Sequence, residues 1–370
     1  MRRITATPRQ NWQQTVEMQG LTFHSKPQPY WTEQAYYAFS PSEIETLQRA
    51  ANEVHEICIE AAKLIVDKKL YSKLAMPEHS AKLAAESLRR GDKHLYGRFD
   101  FAFDGKEAKM LEYNADTPTS LIEGSIAQFF WAADKHPTKD QFNCLHESLV
   151  ARWGEIGLEG LVHFATTGDA EEDRMTTEYI RECAAQAGLQ TNYLGMNEIA
   201  FDGTKFTDQD GVQIKNLFKL YPWEWMMGEE FGKYITNETR FVEPPWKMLL
   251  SNKGILPILN EIAPNHPNLL KADTKPLNIP YVKKPLLSRE GCNITIVNGD
   301  EVIETPGKYG EEGYIFQEYK KIPEFDRRHP VLGLWMIGDK CSGMGIRESD
   351  GPVTLNNSYF APHIIEGETK

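Results

Sequence analysis

Residues 96–120 read Tyr-Gly-Arg-Phe-Asp-Phe-Ala-Phe-Asp-Gly-Lys-Glu-Ala-Lys-Met-Leu-Glu-Tyr-Asn-Ala-Asp-Thr-Pro-Thr-Ser. Arg98 to Phe103 alternates polar and apolar side chains, and Leu111 to Asn114 does the same. A period of two is the signature of a β-strand with one face buried. Asp104-Gly105 between the two runs supplies the residues that a tight hairpin turn favours. Side chains of one parity share a face, so Arg98, Asp100, Glu112 and Asn114 are expected on one side and the aromatic residues on the other. A register with Asp100 opposite Glu112 also sets Arg98 opposite Asn114. Two carboxylates directly across a strand pair repel. A divalent cation removes that objection, since Asp100, Glu112 and the Asn114 amide oxygen make a partial shell for Mg²⁺, which completes its coordination with waters and phosphates. The alternative is a half-exposed hairpin with a charged outer face.

The 370-residue chain is long enough for more than one core, and its 41% hydrophobic and 25% charged content describe an ordinary globular protein. A net charge of −12 argues against nonspecific binding to nucleic acid. No run is apolar enough to cross a bilayer, and no apolar segment follows the basic N-terminus. Cys58, Cys144, Cys183, Cys292 and Cys341 are widely spaced with no Cys-x-x-Cys, which points to reduced thiols in a cytoplasm rather than to disulfides or zinc.

Residues 1–40, interrupted by Pro27 and Pro29, are expected to be irregular or capping structure. Ser40-Pro41-Ser42-Glu43 opens a helix whose apolar spacing continues to about residue 70. A second helix covers the eighties until Gly91, and a third runs from about Leu121 to Ala133. Leu161–Ala165, a loop and helix start over 166–174, a helix from Thr176 to Ala187 and a strand from Leu189 to Leu194 form a β-loop-α-β unit of the doubly wound kind, where ligands bind beyond the carboxyl ends of strands. Glu171 and Glu172 fall at that position, either as a site or as ordinary complements to a helix N-terminus. The tryptophan-rich stretch 221–250 is expected to pack in the core or between domains.

Residues 281–296 deliver Lys284 on a β-segment, then Pro285 and a Ser288-Arg289-Glu290-Gly291 loop. A strand lysine beside a glycine loop can hold phosphates by point charge and backbone N–H groups; alone, Lys284 could equally be a solvated strand-end lysine. Neither a P-loop nor a Gly-x-Gly-x-x-Gly motif is present, which disfavours those nucleotide folds. Gln317, Glu318 and Tyr319 end a strand whose amide and backbone groups can take an adenine edge. Residues 335–348 look like a hairpin leading to Arg347, which could stabilise a transferring phosphoryl group or pair with Glu348 or another acid.

Taken together, these motifs resemble the ATP-grasp ligases, and closely the glutathionylspermidine synthetase family, over most of the chain. Ordinary ATP-grasp enzymes carry the metal-binding Asp…Glu-x-Asn pair after the lysine strands; here Asp100…Glu112-x-Asn114 precedes Lys253 and Lys284, as in the synthetase family. The resemblance implies a mixed α+β and α/β architecture, an ATP-grasp fold with permuted motif order plus a Rossmann-like preATP-grasp unit. Its parts would be an N-terminal helical region (1–95), a metal-binding hairpin and helix (96–150), a Rossmann-like substrate unit (151–245) and a nucleotide-binding region (246–370). Arg98 would contact phosphate and the reacting carboxylate, with Arg347 at the transferred group. Asp100, Glu112 and Asn114 would hold Mg²⁺, as two ions. Lys253, Lys284, Ser288, Arg289, Gly291, Gln317, Glu318 and Tyr319 would bind ATP. Thr117 and Thr119 would meet an acid or peptide substrate, and Glu171 and Glu172 an amine or polyamine.

The implied activity is ATP-dependent acid–amine ligation through an acyl phosphate. The alternatives are a glutathionylspermidine synthetase proper, using glutathione and spermidine, and a nucleotide-binding module without turnover. The chain departs from the bifunctional members, which carry an amidase ahead of the synthetase, since too few residues precede the hairpin for such a domain. It also has Thr117-Pro118-Thr119 where serines are expected, and Leu220 in place of a hydroxyl residue.

Overall fold

The computed structural model describes residues 1–167, 170–236, 238–355 and 358–367. The hairpin forms as its alternation requires: Tyr96–Phe103 runs antiparallel to Ala108–Asn114, with Arg98 opposite Asn114 and Asp100 opposite Glu112. At the turn, Asp104 Oδ1 accepts the backbone N–H groups of Lys106 and Glu107 at 3.0 and 2.8 Å, and Gly105 takes a φ of 93° that a side chain would strain. Phe99, Phe101, Met110 and Tyr113 face the main core, and the Phe99 and Tyr113 rings stack with centroids 3.8 Å apart.

This hairpin is one edge of a five-stranded antiparallel sheet in the order Tyr359–Ala361, Lys340–Ser349, His329–Ile337, Tyr96–Phe103, Ala108–Asn114. Behind it lies the helix Pro41–Lys68. Ser40 and Glu43 form a reciprocal capping box at its start, and Leu47, Ala51, Val54, Cys58, Ala61 and Ile65 are buried at helical spacing. The next helix, Glu78–Arg90, stops at Gly91 with φ 74°.

A second five-stranded sheet, ordered Ala272–Asp273, Tyr314–Glu318, Tyr281–Pro285, Thr295–Asn298, Glu301–Glu304, is likewise antiparallel. A four-stranded parallel sheet has the order Arg240–Val242, Asn216–Leu220, Leu161–Thr166, Gln190–Gly195. The helix Glu171–Gln186 connects its last two strands, which gives the expected βαβ unit; Gly168 and Asp169 of the intervening loop lie outside the described residues. The architecture is therefore mixed α/β, with parallel and antiparallel sheets. Among the described residues no helix is long and apolar enough to cross a membrane, and all five cysteines are free.

Residues 1–40 are more regular than expected. Arg2–Thr5 and Ala35–Phe39 pair antiparallel, and His363–Ile365 joins them in parallel. A strand whose partner lies at the other end of the chain leaves no local signature, and the prolines fall outside both paired segments.

Candidate active site

The three sheets described above, the two antiparallel and the parallel one, converge on a cleft of about 410 Å³. Arg98, Asp100, Glu112, Asn114, Thr117, Thr119, Lys253, Lys284, Ser288, Arg289, Gly291, Gln317, Glu318, Tyr319 and Arg347 all line it. Residues separated by most of the sequence are thus brought to one wall or another of a single cavity.

At its centre the two opposed carboxylates each have a cation. Arg98 grips Asp100 with Nε–Oδ1 at 2.8 Å and Nη2–Oδ2 at 3.3 Å, while Lys253 Nζ lies 3.1 Å from Glu112 Oε2. These pairs offset the repulsion that an isolated acid pair would suffer. Burial alone would raise Glu112, but the charges of Lys253 and Lys284 hold it down at about 2. Burial likewise lowers Lys284 to about 8, against the attraction of Glu112. Lys284 reaches the Leu111 carbonyl at 3.0 Å and Gln317 Oε1 at 2.7 Å, and Lys253 donates to the Ser288 carbonyl at 2.6 Å. Lysines of the second antiparallel sheet and its flank are therefore clamped onto the hairpin. Asp100, Glu112 and Asn114 offer hard oxygen donors, with Glu112 kept ionised, and that set fits Mg²⁺ rather than a thiophilic metal.

Arg98 is held on three sides. Its Nη1 donates to the Thr119 carbonyl at 2.7 Å, and its stem crosses Gly333, where an added Cβ would come within 2.9 Å of Arg98 Cδ. Arg347 lines the cleft, whereas Glu348 turns to the opposite face and binds Arg3 at 2.8 Å and the Tyr37 hydroxyl at 2.7 Å. Arg347 is thus not paired with its neighbour, and its charge acts on Glu172 and Glu123 instead.

The loop Thr117–Ser120 is pinned from behind. Buried Asp116 accepts from Lys219 Nζ at 2.7 Å and from the Trp223 backbone N–H at 2.8 Å. In front, Arg289 donates to Thr117 Oγ1 at 2.8 Å and pairs with Glu224 at 2.7 Å. Trp225, expected as packing, is 44% exposed and lines the cleft together with Leu220 and Pro222.

The helix Glu171–Gln186 sends its first turn toward this end, but not with both expected acids. Glu171 is turned outward, accepting from Thr22 Oγ1 at 2.6 Å. Glu172 is near Thr119 and Arg347; burial lifts its carboxyl above the ordinary range although both of those groups pull the other way. Asp173 lines the cleft and is raised to about 6 by burial, then by Glu172 and Glu290. Deeper, Glu123 is fully buried, and neither carboxylate oxygen has a hydrogen-bond partner among the described residues. Burial and the charge of Glu172 push it up to about 7. The Tyr30 hydroxyl beside it is hydrogen-bonded with Ser120 Oγ at 3.0 Å.

The helical segment that begins at Leu121, as its spacing predicts, widens to a π-turn over Glu123–Ala127, a feature that recurs at functional sites. Asp173, Glu290, Trp225 and Glu123 escaped the sequence reading. Asp173 was within reach, being next to Glu172 in the same helical turn, whereas the burial of Glu123 depends on strands distant in sequence.

The family model described as glutathionylspermidine synthase preATP-grasp matches residues 3–366. The chain belongs to this family. A Haemophilus influenzae protein named provisionally as an acid–amine ligase is 38% identical, covering 98% of this chain and 99% of its own length. Trypanothione synthetase of Crithidia fasciculata is 30% identical over 84% of this chain, and the bifunctional glutathionylspermidine synthetase/amidase of Escherichia coli is 26% identical over 89%. The match covers 53% and 59% of those two proteins, so this member of the glutathionylspermidine synthase family spans little more than half their length. A glutathione synthetase-like effector from Globodera pallida superposes with a TM-score of 0.56 at 12% identity, covering 97% of this chain and 98% of its own, which shows a shared fold.

Proposed function

We propose that the protein is an ATP-dependent carbon–nitrogen ligase that joins a small carboxylic acid to an amine and releases ADP and phosphate. The observation that carries this reading is the contact between Glu112 of the hairpin and Lys253 of the distant nucleotide half, with Asp100, Lys284 and Arg98 around the same cavity. The names of its ligase and synthetase relatives support it. In this reading the fold is an ATP-grasp with permuted motif order, and the four-part division of the chain assigns hairpin, substrate unit and nucleotide region to the walls of one cleft.

ATP would be held by Lys253, Lys284, Ser288, Arg289 and Gly291 at its phosphates and by Gln317, Glu318 and Tyr319 at the adenine. Mg²⁺ at Asp100, Glu112 and Asn114 would supply charge neutralisation for the phosphates. A substrate carboxylate oxygen attacks the γ-phosphorus and ADP departs, with Arg98 and Arg347 stabilising charge on the transferred group. An uncharged amine then attacks the acyl carbon of the acyl phosphate and phosphate leaves; the walls of the cleft keep water from competing. Glu172 and Asp173 would hold a second, cationic amine of a diamine or polyamine.

A screen of ADP release crossing carboxylates with amines tests the reading, with Asp100→Asn as the inactive control. Release that needs both an acid and an amine supports ligation. ATP hydrolysis indifferent to every acid and amine, or equal turnover by Asp100→Asn, overturns it. Glutathione with spermidine belongs in the screen because two relatives carry glutathionylspermidine synthetase or trypanothione synthetase names, although Leu220 and Pro118 give the acid end of this cleft a more apolar wall.

A further inference from the structure

Away from the cleft, His55, His94 and Asp339 bring three ligand atoms within 4.8 Å of one another. His55 comes from the helix Pro41–Lys68, His94 precedes the strand Tyr96–Phe103, and Asp339 occupies the turn between His329–Ile337 and Lys340–Ser349. Asp339 Oδ1 is 3.1 Å from His55 Nε2 and 3.5 Å from His94 Nε2. Donors around a tetrahedral ion with bonds near 2.0 Å stand about 3.3 Å apart, so both distances to Asp339 Oδ1 match edges of such a shell, and all three ligand atoms lie within 4.8 Å of one another.

We propose that His55, His94 and Asp339 bind a divalent transition-metal ion of the Zn²⁺ class, distinct from the ion at the cleft. Two imidazoles and a carboxylate select such an ion over Mg²⁺, which prefers oxygen alone. The His55 and His94 side chains are 2% and 6% exposed, while that of Asp339 is 69% exposed, giving a shielded seat with an open entrance. The supporting contacts are also present. The Gly338 carbonyl, 2.9 Å from His94 Nε2, holds the nitrogen that an ion would take over, while the Tyr113 hydroxyl lies 3.3 Å from the far nitrogen of His55, Nδ1, and Trp246 meets the His94 ring edge-on at 5.3 Å. Partners of this kind fix ring orientation at metal sites. Burial and the Lys247 charge keep both histidines uncharged, the form that ligates. Lys247 itself is paired with Glu243 at 3.2 Å. A bound ion would staple the long helix and the hairpin turn to the start of the strand that carries Arg98 and Asp100.

The test uses the full-length protein, stripped with chelator and titrated with Co²⁺ followed by Zn²⁺. The expected result is the visible absorption of a low-coordinate Co²⁺ ion, its displacement by Zn²⁺, and a melting temperature higher by a few degrees, on the order expected when ligand greatly exceeds its Kd. Asp339→Asn, at an exposed turn that tolerates the change, should weaken binding at least about tenfold, and Tyr113→Phe about tenfold. Asp100→Asn should leave the signal intact. The proposal is overturned if no Co²⁺ spectrum develops, if Asp339→Asn keeps wild-type affinity, or if Asp100→Asn removes the signal and so assigns the ion to the cleft. None of these readouts depends on turnover, so the ligase reading stands or falls separately.

Discussion

The ammonium of Lys253 lies 3.1 Å from Oε2 of Glu112, and the buried carboxylate relies on that charge to stay ionised. Removing the lysine takes away the first of the charges that hold Glu112 ionised against burial. Lys253→Met should therefore raise the KM for ATP about 10- to 100-fold, the worth of one charged hydrogen bond. Glu112→Gln keeps the shape but loses the charge proposed to hold Mg²⁺, and should lower kcat about 10²- to 10³-fold. Coupled ADP-release kinetics and ATP titration calorimetry separate the two. If both variants turned over like wild type, the acid and the lysine would not share a phosphate site.

Gly333 allows Arg98 to cross the sheet, since a Cβ there would meet Arg98 Cδ at 2.9 Å. Arg98 cannot yield freely because Asp100 and the Thr119 carbonyl hold its head. Gly333→Ala should thus displace the guanidinium and reduce kcat up to about 100-fold, while costing about 1–3 kcal/mol in stability. Steady-state kinetics beside a denaturation curve check it. Unchanged kcat would show that the position of Arg98 is not critical.

The two glutamates at the start of the helix Glu171–Gln186 should behave differently. Glu172 is close to Thr119 and Arg347, whereas Glu171 bonds Thr22 at the surface. With a diamine substrate, Glu172→Gln should raise the amine KM about tenfold or more, and Glu171→Gln should leave it within about twofold. A monoamine should be indifferent to both. Equal effects of the two substitutions would remove the amine from this end of the cleft.

Glu123 makes stability depend on pH. Its carboxyl is raised from 4.5 to about 7 in the fold, so between those values the native state keeps a proton that the unfolded chain has released. Stability therefore falls as pH rises through that window and levels off above it, by at most about 3 kcal/mol for this group. Glu123→Gln should be less pH-sensitive than wild type, although Asp173, raised to about 6, and Glu172 add slopes of the same sign. Urea unfolding at pH 5 and pH 8 decides; identical losses in both proteins would contradict it.

The hairpin was legible because alternation over 98–101 and 111–114 fixes parity, and parity fixes which residues can face each other: Asp100 opposite Glu112 leaves Arg98 only Asn114, while the shift in register after Asp100 left no sequence signal. The capped helix at Ser40 and the βαβ unit were readable for the same reason, being local patterns. What escaped was set by partners remote in sequence. Arg2–Thr5 and Ala35–Phe39 pair with each other and with His363–Ile365. Glu171 and Glu172 are adjacent in sequence, yet the roughly 100° turn per helical residue sends them to different surroundings. Trp225 leaves the core because the short helix Trp223–Gly228 buries Trp223 instead.

The sheet that joins residues 96–114 to residues 329–361 also constrains how the molecule can be taken apart. Such pairing has a high contact order, and the loop-closure entropy must be met before the strands reward it. Until the later strands arrive, the Tyr96–Phe103 edge is bare and apolar on its core side, an invitation to aggregate. A fragment ending near residue 245 would carry Asp100, Glu112 and Asn114, the three proposed Mg²⁺ ligands, and still lack Lys253 and Lys284. The two halves, co-expressed, would have to find each other before either could grip a nucleotide.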